Sequence, residues 1–135
     1  MATYNKFSSF VEALAEKVHN LSTDSIKVAL TNTAPLASNT KLSDITEITY
    51  TNCSSRSVTI TSSSQSAGIY NLVGNDLTLT ATGGAVSTFR YIVVYNDSAT
   101  NKELICWYDY GSALTLANGD SLTIDFSSTG ILSIQ

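Results

Sequence analysis

The chain has 135 residues, 43% hydrophobic and only 13% charged, with a formal net charge of −4. A chain of this length fits one domain, residues 1–135, able to bury roughly two-thirds of its unfolded surface without covalent staples. Lys6, Lys17, Lys27, Lys41, Arg56, Arg90 and Lys102 are scattered and form no cationic stripe, and no run of about 18 apolar residues is present, so neither nucleic acid nor a membrane is an expected partner.

The opening residues Met1 to Phe7 run straight into a segment broken by Glu12, Glu16 and Lys17, which leaves no continuous apolar stretch for an export signal. The expectation is a protein made in the cytoplasm that nonetheless carries the hydroxyl-rich surface of an external module. Phe7, Phe10, Val11, Leu14, Val18 and Leu21 recur with the period of one helical face, predicting an amphipathic helix over 4–21. Asn20 or Ser22-Thr23-Asp24 supplies the stop. Its apolar stripe needs cover, either from the chain's own β-domain or from helices of neighbouring subunits.

From residue 25 to 135 the period becomes two. Ile26, Val28 and Leu30 share a face, as do Val58/Ile60, Leu77/Leu79 and Leu122/Ile124/Phe126. Thr59, Thr61, Thr78, Thr80 and Thr123 fall on the alternate parity, where β-branching suits a pleated surface and hydroxyls keep it wet without charge. The runs Tyr91 to Tyr95 and Leu104 to Tyr108 are apolar on both parities and predict central strands covered on both sides, paired antiparallel across the polar loop Asn96 to Asn101. Asn118-Gly119 predicts a type I′ hairpin between Leu114-Thr115-Leu116 and Leu122-Thr123-Ile124. Leu42 to Thr51 is a weak strand at best, after a loop around the single proline, Pro35. The expected fold is mainly β: a single antiparallel β-sandwich, jelly roll or barrel of about eight strands with one N-terminal helix.

Residues able to carry chemistry are sparse. His19 is the only histidine and stands near the predicted helix C-terminus, where an imidazolium suits the macrodipole. Asp97, Glu103, Asp109, Asp120 and Asp125 include hairpin neighbours, but most read as turn formers or outward strand residues. Cys53 and Cys106 have no metal-ligand spacing and are expected as free thiols. On parity Tyr91, Val93 and Tyr95 share one side, and Trp107 shares a side with Ile105 and Asp109. Such mixed faces read as core or subunit interface, with Tyr110 the most exposed aromatic. No catalytic residue, metal or cofactor is expected, and the protein is not read as an enzyme.

Tyr4-Asn5-Lys6-Phe7-Ser8-Ser9-Phe10-Val11-Glu12, Ile26 to Pro35, Thr82 to Tyr91, Tyr95-Asn96-Asp97, Asp109-Tyr110-Gly111 and Leu116 to Asp120 together resemble a family of small structural proteins of tailed bacteriophages. The resemblance covers most of the chain and implies a virion component, chiefly a capsid decoration (cement) protein on the outside of the head. It implies the major capsid protein as partner, self-association as a homotrimer, and a virion location after synthesis in the host cytoplasm. Phe7, Phe10, Leu14, Pro35 and Leu36 are the candidate trimer or capsid contacts. The alternative is a tail-fibre or receptor-binding module that meets host glycans through Tyr110 or Trp107.

Overall fold

The alternating segments of the chain pair into antiparallel sheets, seen in a computed structural model that describes residues 2–135. The larger sheet has the order β1 (Thr3–Lys6), β8 (Leu104–Leu116), β7 (Val86–Asn96), β2 (Ile26–Thr31) and β3 (Ser57–Val58). Facing it are a three-stranded sheet, β10 (Leu132–Ile134), β5 (Ile69–Gly74) and β4 (Ile60–Ser66), and a pair, β6 (Leu77–Thr80) with β9 (Ser121–Ile124). The smaller sheets meet where Phe126 N donates to Asp76 Oδ1 at 2.9 Å. The architecture is a sandwich of ten strands among the described residues, and it does not close into a barrel.

Two cores flank the larger sheet. Between the layers, Ile26, Val28, Leu30, Ile92 and Val94 pack with Leu72, Leu79, Ile124 and Leu132 from the smaller sheets. On the opposite face Phe7, Ala29, Val93, Tyr95, Leu104 and Trp107 are covered by Leu42 and Ile45 of the long connection after β2. Strands β7 and β8 are therefore buried on both sides, as their continuous apolar runs require. That connection contains a single 3-10 turn, Leu42–Asp44, and is tied down by three isolated bridges, Thr31 to Glu47, Lys41 to Glu103 and Cys53 to Ala81. The outward threonines bond across strands: Thr78 to Thr123 at 3.0 Å, Thr80 to Ser121 at 2.9 Å and Thr88 to Thr115 at 2.6 Å.

Three sequence expectations are corrected. The helix α1 spans only Ser9–Ala15, and residues 3–6 form β1, paired with Cys106 to Asp109 of β8. Helical spacing across 4–21 arose because Phe7 and Phe10 both need burial, but they enter different cores on opposite faces of the sheet. The helix stops at Lys17, whose φ of 66° is left-handed; Val18 N donates to Ala13 O at 2.9 Å and Lys17 N to Leu14 O at 3.4 Å, a Schellman termination.

Asn118-Gly119 does not join a β8–β9 hairpin, because β9 pairs with β6. Gly119 has a φ of 92° while Asn118 stays out of the positive region, and Asp120 N donates to Ala117 O, so the turn carries the chain between layers. Lastly, Val94 pairs with Cys106 but Tyr95 with Leu104, leaving Ile105 as an extra residue. This bulge turns Ile105 and Cys106 toward one core and Leu104 and Trp107 toward the other, so Trp107 and Ile105 do not share a face.

Candidate functional site

The predicted contact residues lie mostly inside the protomer. Phe7 and Phe10 are core residues, Phe7 stacking on Trp107 with centroids 4.5 Å apart; Pro35 is buried and Leu14 half-buried. As surface contacts Phe7, Phe10 and Pro35 are thus corrected, since the chain's own cores consume both phenylalanines and Pro35 is covered within the protomer. Leu36, 63% exposed, is the member of that set left on the surface, joined by Val11 at 54%. Their segments are tied together, because Ser8 N, just before α1, donates to Ala37 O at 2.9 Å.

A second surface is a groove of about 1060 Å³ along the unclosed side of the sandwich. One wall is the inner face of the larger sheet near its free edge, with Tyr4 on β1 and Tyr110 and Ser112 on β8. Ile92 and Tyr108 form the floor. The other wall is the interrupted edge β9–β10, with Leu122, Asp125, Thr129 and Ile131. Gly130, at φ 120°, lets the chain rejoin β5 so that Ile131 N donates to Leu72 O at 2.7 Å. An added Cβ there would stand 2.5 Å from Leu72 O.

Of the tyrosine rings in this groove, Tyr108 is held at its hydroxyl, which donates to Ile131 O at 3.4 Å. Tyr4 and Tyr108 meet edge-on, 5.7 Å between centroids, near the buried Cys106 thiol. Burial pushes that thiol up to about 12, against the opposing effect of the Tyr108 and Tyr4 hydroxyls. Burial likewise raises both phenols well above their ordinary value. Tyr4 still leaves 44% of its surface exposed and Tyr110 40%. Tyr4 escaped notice as a groove residue because it sat in the predicted helix; even spacing of Tyr108, Tyr110 and Ser112 on one strand was the available signal.

The remaining candidates are engaged elsewhere. Asp97 pairs with Lys27 and Lys102, each at 2.9 Å, and hydrogen bonds from Lys102 and then Lys27 hold its carboxyl below the usual range. Asp109 receives both Nε and Nη2 of Arg90, at 2.8 and 3.0 Å, which lowers it likewise. Asp120 accepts from Ala117 N and Glu103 from Asn101 Nδ2. Asp125 is the one of these carboxylates that lines the groove.

His19 lies beyond the helix, 5% exposed, rather than at its C-terminus. Its Nδ1 is 3.0 Å from Asn96 Nδ2, which also donates to Asp24 Oδ2 at 2.6 Å, and burial lowers its pKa despite the charges of Glu103 and Asp24. Among the described residues both cysteines are free, no group of three His, Cys, Asp or Glu is gathered for a metal ion, and no helix is long and apolar enough to cross a membrane.

No family model, curated protein or solved structure matches this chain.

Proposed function

We propose that this chain is a virion structural protein, a decoration protein that attaches to the outside of a phage head and reinforces the shell. The observation that carries this reading is the exposure of two apolar side chains, Val11 and Leu36, on segments joined by the Ser8 to Ala37 hydrogen bond. Two exposed apolar side chains give a modest contact. A body that bridges several capsomers sums modest contacts at high effective concentration, and a homotrimer on a local threefold position is a geometry that does so. The partner is the major capsid protein, and the role calls for no cofactor. The double variant Val11→Asp with Leu36→Asp, altering two exposed side chains, is expected to lower occupancy on heads stripped of the protein at least tenfold, about 1.4 kcal/mol of lost affinity. Undiminished occupancy would remove these two side chains from the capsid contact.

One observation favours a second reading, a tail-fibre or receptor-binding module. The groove presents Tyr110 and Tyr4 to solvent, as a module contacting host glycans requires. Trp107, only 9% exposed and packed on Phe7, contributes nothing to such a surface.

A further inference from the structure

We propose that the groove along the open side of the sandwich is a binding site for a neutral oligosaccharide. The inference deepens the glycan-contacting reading above and rests on the same groove, whether the protein sits on a head or a tail. Its volume, about 1060 Å³, lies at the upper limit of the ~300–1,000 Å³ usual for small-molecule sites, which suits an extended ligand of several rings rather than one. The surface offered is amphipathic in the way a pyranose is. The rings of Tyr4, Tyr108 and Tyr110 supply aromatic surface for C–H patches, while Asp125, Thr129 and Ser112 supply hydrogen-bonding groups for hydroxyls.

Two features make this shelf a prepared one. Tyr4 and Tyr108 meet edge-on and the Tyr108 hydroxyl donates to Ile131 O at 3.4 Å, so part of the side-chain freedom of this pair is already lost before a ligand stacks on it. Charge then selects the ligand class. Among the described residues no Lys, Arg or His lines the groove and Asp125 is its single acidic side chain, so the groove offers an anionic glycan no cation. A peptide strand is a poorer occupant of the same space. The flanking edges β1, β9 and β10 run only four, four and three residues, and Asn5 Nδ2 already occupies Thr3 O.

The test uses the full chain with maltohexaose, cellohexaose and chitohexaose as neutral probes and hexagalacturonate as the anionic one, read by calorimetry and saturation-transfer NMR. At least one neutral hexamer is expected to bind in the millimolar range or tighter, and hexagalacturonate more weakly. Tyr110→Ala, at an exposed site, is expected to weaken binding about tenfold, while Leu36→Asp leaves it unchanged. Failure of all three neutral hexamers, equal binding of hexagalacturonate, or wild-type binding by Tyr110→Ala would each overturn the proposal. So would a dimer that buries the groove and excludes saccharide, which would assign the seam to a second copy. Head attachment is scored separately, so loss of one property does not stand for loss of the other.

Discussion

At the scale of single residues, Asn96 organises the end of the molecule that carries the β7–β8 loop. It is fully buried, and its Oδ1 accepts from Ser98 N at 2.9 Å and Ala99 N at 3.2 Å, which fixes the amide's orientation. Its Nδ2 must then donate both protons, one to Asp24 and one to His19 Nδ1. His19 is therefore a neutral base with its proton on Nε2, an atom that is buried without a partner. Charging it would set two donors against each other inside the core. Desolvation lowers the folded-state pKa, so below the unfolded value of about 6.5 the unfolded chain takes up a proton that the folded chain resists. Stability is expected to fall as pH drops below about 6.5 and to stop falling, on this account, below the folded pKa. Urea midpoints from pH 7.5 to 5 would show the slope, and His19→Gln should flatten it. A slope retained in that variant would assign the titration elsewhere. The sequence singled out His19 as unique but placed it on a helix end, because its partner Asn96 is 77 residues away.

Elements are specified by pairing as much as by pattern. Strands β2, β7 and β8 were legible, since Ile26/Val28/Leu30 and the two continuous apolar runs state their burial directly. Strand β1 was not, because Thr3-Tyr4-Asn5-Lys6 carries no alternation of its own and is a strand only against Cys106 to Asp109. The bulge at Ile105 and the break between β9 and β10 are likewise properties of register, which one strand's residues do not encode. The two backbone positions that end or re-aim elements make opposite predictions. Lys17 occupies a left-handed helix terminus that glycine tolerates freely, so Lys17→Gly is expected to stabilise the protein by about 1 kcal/mol. Gly130 combines positive φ with a carbonyl 2.5 Å from any Cβ, so Gly130→Ala is expected to destabilise by about 1–3 kcal/mol. Urea unfolding of both variants checks the signs, and a neutral Gly130→Ala would mean that the β9–β10 connection readily adopts another path.

As a whole molecule, the protein covers its larger sheet on both faces yet leaves one side of the sandwich unclosed. The general fold could be read from alternation, but the groove could not, since it exists where the inner face of β1 and β8 extends beyond the cover of β9 and β10. Of the predicted contact residues, burial claims Phe7, Phe10 and Pro35, leaves Leu14 half-buried and leaves Leu36 exposed, as Val11 is. The two surfaces proposed for a capsid lattice and for a saccharide are separate, since no groove residue lies on α1 or the Pro35 to Ala37 loop. Mass spectrometry of purified virions, separated into DNA-filled heads and tails and calibrated against the major capsid protein, tests the central claim most directly. The account predicts many copies on each head, in fixed proportion to the major capsid protein. Absence from both fractions would contradict it, and a few copies confined to tails would replace decoration with receptor binding.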